Sequence, residues 1–298
     1  MRDRESTAAG VVQRMIGGQA AHSRYALNLS LSLATLHPED RMEFAASFGF
    51  ENVEMWWPFP TPDPSTRQIG ELRGALQSAG ARLVCLNIDA GDFEAGDRGL
   101  LADPLQRERC RTSIVAAVRT AAATGCRLVN MPYGNAIPAA TAQEQHRTAW
   151  ANLRFAAEHA SAVGVSVLLE PLNAKDNPDY LLSDLATAAE IVRRARQMGH
   201  ENVGILLDVY HLARTVQDVE GAIARYASGV LHVQFADLPD RGCPGTGELD
   251  FASILRMLAD GGYEGFVGLE FMAKGEPDEA LRDAQRFVAK YPALPNFG

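Results

Sequence analysis

Four residues with metal-binding side chains stand at the ends of apolar runs: Glu170 after VSVLL, Asp208 after VGILL, Gln234 within LHVQFAD, and Glu270 after GFVGL. Taken singly, an acidic residue in such a place is an ordinary loop cap or ion-pair partner. Taken together, three carboxylates and one amide oxygen make an oxygen-rich site suited to a hard divalent cation, Mg²⁺ or Mn²⁺, with positions left for water or substrate. A carboxylate that follows an apolar run is costly to bury unless it is paired, hydrogen-bonded or metal-bound. Glu170 and Glu270 both meet that description.

Other polar residues fall near the same ends. His211 follows Asp208 in LLDVYHLA, where a strand would turn into its helix, and is expected to contact substrate. His232 lies two residues before Gln234, so both share one strand face. His232 is expected to support Gln234 rather than bind directly. Glu54, Asn87 and Asn173 lie at or just past strand ends, and Asp176, Arg241 and Lys274 lie on loops of the same face. An anionic substrate needs a cation, which Arg241 or Lys274 could supply. As single residues these are more often solvated charges. Trp56, Trp57 and Phe59 could wall the site, with a hydrophobic lid or a subunit contact as the alternative.

These residues are positioned by a repeating pattern that begins at Tyr25. Candidate strands lie at 25–31, 52–57, 82–88, 127–131, 165–170, 203–208, 230–236 and 265–270. Helical spacing occupies roughly 39–49, 65–79, 104–124, 141–162, 183–198, 216–227, 251–261 and 277–290. Gly80, Gly125, Gly164 and Gly262 each end a helix before the next strand, as left-handed C-caps would. Apolar strands without clean alternation suit a parallel sheet covered by helices. A doubly wound nucleotide fold would show a glycine-rich turn after its first strand, which Ser32–His37 lacks. The expected fold is therefore a (β/α)8 TIM barrel. It is read as a single domain over 25–298 with a short N-terminal extension over 1–24, which carries a helical turn near 11–16. In such a barrel the C-terminal strand ends form one open face, so side chains tens of residues apart in sequence converge there.

Composition bounds the partners. The 298 residues are 47% hydrophobic and 22% charged, which fits a folded globular chain. The net charge of −9, with basic residues scattered, argues against nucleic acid and weakly against an anionic membrane surface. No apolar run is long enough to span a bilayer, and the first 24 residues carry charge without an apolar signal core. Cys85, Cys110, Cys126 and Cys243 form no paired motif and are expected to be reduced, in a cytoplasmic protein. A small hydroxy-carbonyl molecule is the expected partner, and a homo-oligomer is left open.

The stretches LNIDAGDFEAGDRGL (86–100), LLEPLNAKDNPDYLL (168–182), LLDVYHLAR (206–214), LHVQFADLPDRGCPGTGELDF (231–251) and GYEGFVGLEF (262–271) resemble the hydroxypyruvate isomerase group of the xylose-isomerase-like barrels. The resemblance runs from about Tyr25 to Ala289 and is strongest in the second half. It implies that Glu170 and Glu270 transfer the proton, that Glu170, Asp208, Gln234 and Glu270 hold the metal, and that His211 hydrogen-bonds a substrate oxygen. The implied reaction is an aldose–ketose isomerisation through an enediolate, hydroxypyruvate giving tartronate semialdehyde. Many members carry a lysine two residues after the last glutamate. Here Met272 stands there, and Lys274 is the nearest substitute. The rival readings are a ketose 3-epimerase or an oxo-tetronate isomerase, which would use the same residues. More distant is an AP endonuclease, which needs three metals and more histidines. A non-catalytic binding protein comes last, because it would have no use for four convergent ligands.

Overall fold

A computed structural model describes residues 24–292. The expected helical turn near 11–16 lies outside them. Eight parallel strands close into a barrel in sequence order: β1 Tyr25–Asn28, β2 Asn52–Met55, β3 Arg82–Asn87, β4 Leu128–Asn130, β5 Ser166–Leu169, β6 Val203–Asp208, β7 Val230–Phe235 and β8 Val267–Leu269. Closure comes from β1 pairing with β8, Tyr25 facing Val267 and Leu27 facing Leu269. The helices are α1 Arg41–Ser47, α2 Thr66–Ser78, α3 Arg107–Thr124, α4 Ala142–Ser161, α5 Leu185–Gln197, α6 Val209–Thr215, α7 Val219–Tyr226, α8 Phe251–Asp260 and α9 Pro277–Lys290.

Local sequence sets the helix ends. Ser65 with Gln68, and Thr141 with Glu144, form reciprocal capping boxes that satisfy the first free N–H groups of α2 and α4. The expected glycines 80, 125, 164 and 262 all take left-handed backbone, with φ between 62° and 76°. The apolar residues divide into two layers. Leu27, Val53, Val129, Val167, Ile205, Val233 and Leu269 belong to the large core that the helices cover. Ala26, Cys85, Leu168 and Leu206, with Phe266 against them, form a separate small cluster. It plugs the barrel interior beneath the strand ends, so the polar layer above has a dry floor.

One connection differs from the sequence expectation of a single helix over 216–227. The Asp208 carboxylate accepts the Tyr210 N–H at 2.8 Å, which starts α6 directly at the strand end. The chain breaks after Thr215 and is capped again by Asp218, whose side chain accepts from Gly221 at 2.8 Å to start α7. Glu170 and Glu270 lie one residue past the last paired positions of β5 and β8. All four cysteines are buried and unpaired. Among the described residues no helix is long and apolar enough to cross a membrane.

Candidate active site

Every strand delivers one amide or carboxylate to the C-terminal rim of the barrel: Asn28, Glu54, Asn87, Asn130, Glu170, Asp208, Gln234 and Glu270. Seven are at most 8% exposed, and Asn87 is half-buried. Barrel closure then ties together residues remote in sequence. Asn28 Nδ2 donates to Glu54 Oε1 at 3.0 Å and to Glu270 Oε1 at 2.9 Å. Asn130 Nδ2 donates to Glu170 Oε2 at 2.7 Å, and Tyr180 Oη donates to the Glu170 carbonyl at 3.1 Å. Trp56 Nε1 reaches Glu270 Oε1 at 2.8 Å.

Glu54 is the buried hub of the lower half. It accepts from Asn28, from Gln234 Nε2 at 2.6 Å and from His232 Nε2 at 2.6 Å. Gly268 leaves room for this carboxylate, because a Cβ there would lie 2.3 Å from Glu54 Oε2. Since Glu54 holds the Gln234 amide by its nitrogen, Gln234 Oε1 is buried with no partner, which is costly unless a ligand meets it. His232 thus supports Gln234 through Glu54, rather than by touching it.

Above this layer opens a cavity of about 580 Å³ lined by Glu170, Glu270, His211, Arg241, Asn87 and Trp56, among others. Asp208 stands beside it, joined to Arg241, whose guanidinium donates to Asp208 Oδ2 at 2.9 Å and to Glu270 Oε2 at 2.5 Å. Burial would lower the Arg241 pKa, but Glu270 and Asp208 raise it. Burial lifts Glu170 to about 7, helped by the negative charge of Asp208 and opposed by Arg241 and Asn130. Burial also lifts Glu270 well above the carboxylate range, against the pull of Arg241. Four buried carboxylates (Glu54, Glu170, Asp208 and Glu270) meet one guanidinium here, so the site favours taking up protons or a cation.

His211 is buried and lies 3.7 Å from Asp208 Oδ2 through Nε2. Its Nδ1 accepts the backbone N–H of Asn173 at 3.2 Å. A backbone N–H can only donate, so Nδ1 is the acceptor and the neutral ring carries its proton on Nε2. Burial keeps the ring neutral by lowering its pKa to about 4. Glu170, Asp208 and His211 each bring a ligand-capable atom within 4.8 Å of the others.

The remaining expected residues separate. Asp176 accepts from Asn173, Tyr210 and Arg214, forming one wall of the mouth. Trp57 and Phe59 pack edge-on against each other, outside the cavity lining. Lys274 is exposed, bonds Asp240 at 2.9 Å and does not line the cavity. Sequence reasoning missed Asn28 and Asn130, although each ends an apolar run as Glu170 and Glu270 do. It also gave Arg98 no role, although this residue lines the same cavity.

Residues 42–291 match the family described as the xylose isomerase-like TIM barrel. A Streptomyces coelicolor chain with a provisional hydroxypyruvate isomerase name is 38% identical over 86% of this chain and 93% of its own. The hydroxypyruvate isomerase of Escherichia coli is 30% identical over 87% and 97%. The 2-oxo-tetronate isomerase of Haemophilus influenzae is 31% identical over 89% and 99%. Among solved structures, an AP endonuclease family 2 protein from Brucella melitensis superposes with a TM-score of 0.79 at 28% identity, covering 90% of this chain and 99% of that one.

Proposed function

We propose, for a chain that belongs to the xylose isomerase-like TIM barrel family, that it is an isomerase of small hydroxy-keto acids of the hydroxypyruvate or 2-oxo-tetronate kind. The observation that carries this reading is the pair Glu170 and Glu270. Both are buried, both line one cavity, and both have pKa values raised toward the range where a carboxyl can give and take a proton near neutrality.

The donor set fits a divalent ion. Glu170, Asp208 and Glu270 would supply carboxylate oxygens, and the unpartnered Oε1 of Gln234 would supply the fourth ligand. An all-oxygen set favours Mg²⁺ or Mn²⁺. His211 fits a hydrogen-bond donor better than a ligand, because the Asn173 N–H leaves its proton on Nε2. Once bound, the ion would polarise the carbonyl and the adjacent hydroxyl of the substrate.

The chain's own residues then account for the rest. One of Glu170 and Glu270 removes the proton from the carbon bearing the hydroxyl, leaving an enediolate. The other delivers a proton to the neighbouring carbon, while the hydroxyl proton passes to the former carbonyl oxygen and the hydroxyl carbon becomes the new carbonyl. His211 donates from Nε2 to a substrate oxygen. Trp56, stacked on Phe93 at 4.9 Å, screens Glu270 from water. The test is turnover of hydroxypyruvate and of 2-oxo-tetronate with Mg²⁺ or Mn²⁺ in D₂O. Deuterium at the receiving carbon is expected. Its absence across several pH values would overturn the two-glutamate proton path.

A further inference from the structure

The cations that line the cavity are Arg98, Arg214 and Arg241. Arg214 is committed to Asp176 at 2.7 Å, and Arg241 to Asp208 and Glu270. Arg98 has no carboxylate within ion-pair distance among the described residues. Its Nη1 donates to the Asp97 carbonyl at 2.7 Å and to the Phe93 carbonyl at 3.4 Å. Among the described residues its Nε and Nη2 have no hydrogen-bond partner.

The loop holding Arg98 is closely built. The Asp97 carboxylate is engaged within the loop, accepting the Asp92 N–H at 2.8 Å. Gly91 must lack a side chain because a Cβ would meet that same Asp97 oxygen at 2.3 Å. Gly99 has φ of 121°, and a Cβ there would lie 2.1 Å from the Pro132 carbonyl oxygen. Asn135 Nδ2 anchors the Gly96 carbonyl at 2.9 Å. The guanidinium carbon of Arg98 lies 5.5 Å from the centre of the Phe93 ring. Phe93 stacks on Trp56, and Trp56 holds Glu270. Three contacts therefore fix the cation relative to one of the two proton-transferring carboxylates.

We propose that Arg98 is the anchor for the substrate carboxylate, and that it makes this site select hydroxy-keto acids over uncharged ketoses. This rests on the isomerase reading above. The planar guanidinium offers two parallel N–H donors, a pair that a carboxylate accepts and a neutral hydroxymethyl group does not. Four carboxylates around the reacting centre would otherwise repel an anionic substrate. Arg98 at the mouth offsets that repulsion at the far end of the molecule.

The test uses the full chain with Mn²⁺ and the variants Arg98→Gln and Arg98→Lys. For hydroxypyruvate, Arg98→Gln should raise KM by about tenfold or more, the loss expected for a charged hydrogen bond, with kcat changed far less. Arg98→Lys should recover part of it. An unchanged KM, or a kcat loss without a KM change, would overturn the proposal. Binding of D-glycerate against glycerol, followed by NMR titration, reads the same anchor without turnover. Wild type should prefer the acid and Arg98→Gln should lose that preference. A preference that survives in Arg98→Gln, or is absent from wild type, also overturns it. Wild type that prefers glycerate but turns over neither keto acid would instead sink the isomerase reading and leave the anchor standing.

Discussion

The Arg241 guanidinium donates to Glu270 Oε2 at 2.5 Å while also holding Asp208 Oδ2, so it sits between two carboxylates suited to a metal ion. Arg241 reaches this place with φ of 57°, a left-handed backbone uncommon for a residue with a side chain. A divalent ion bound by Asp208 and Glu270 would compete with that guanidinium for the same oxygens.

Arg241→Met should therefore act in opposite directions on the two forms of the protein. Without metal, two buried carboxylates lose their counter-ion, and unfolding should become easier by about 3–5 kcal/mol. With Mn²⁺ the competitor is gone, and the melting temperature should rise more on metal addition than it does for wild type. Thermal unfolding with and without Mn²⁺ measures both. Equal metal-induced shifts in variant and wild type would show that Arg241 does not compete.

The raised pKa of Glu170 makes the metal-free protein sensitive to pH. Its carboxyl moves from an ordinary 4.5 to about 7 because burial disfavours the charged form. A group raised in the folded state stabilises the fold while protonated. That contribution is complete below its unfolded pKa and is lost as pH rises through about 7. Glu270 is raised as well and adds in the same sense. His211 runs the other way. Lowered to about 4 from 6.5, its contribution is present above 6.5 and lost as pH falls. Between pH 6.5 and 8 the loss from the carboxyls outweighs the smaller gain from His211, whose unfolded form is still half protonated at 6.5. Metal-free stability should fall there by about 1 kcal/mol from Glu170, with more from Glu270. Urea titrations at pH 6.5, 7.2 and 8 measure it, and Glu170→Gln should flatten the slope.

Glu54 should control metal affinity without touching the ion. Its two oxygens accept three N–H groups, from Asn28, Gln234 and His232. The amide of Glu54→Gln keeps one acceptor oxygen and turns an NH₂ toward a donor, so Gln234 loses its fixed orientation. Mn²⁺ affinity should drop by about 10-fold or more, as for other lost supports of metal ligands. Calorimetric titration of folded variant and wild type decides the matter. An affinity within twofold of wild type would mean that Gln234 is not held for metal binding.

Much of this was legible in the chain because one physical signal, an apolar run ending in a polar residue, marks both a barrel strand and its contribution to the open face. Glu170, Asp208, Gln234 and Glu270 stood out in that way, and the closed barrel brings them to one rim. Asn28 and Asn130 carry the same signal, but an amide is common at turns and attracts less notice than a carboxylate. The Glu54–His232 contact spans 178 residues and exists only because the barrel closes, so no local pattern announces it. Arg241 was legible as a loop cation on the same face, but its ion pairs with Asp208 and Glu270 exist only because the barrel closes. The α6 helix was hidden because Asp208 ends a strand and caps a helix at once.

Glu170→Gln and Glu270→Gln should each reduce turnover by about 10² or more, the scale of a positioned acid–base group. They should differ in what survives. If Glu170 removes the substrate proton, Glu270→Gln still lets substrate and solvent exchange hydrogen, because removal is intact and only delivery to the second carbon is blocked. Glu170→Gln then shows neither exchange nor product in that direction. Starting from the product reverses the pattern, since the second glutamate becomes the base. An amide keeps a ligating oxygen, so Mn²⁺ content, measured on each purified variant, separates loss of the proton carrier from loss of the ion. NMR of substrate and product recovered from D₂O reads the exchange. Full turnover in either variant with metal retained would remove that glutamate from the proton path. Exchange lost in both variants from both sides, with metal retained, would mean that the two carboxyls act as one coupled unit rather than as separate donor and acceptor.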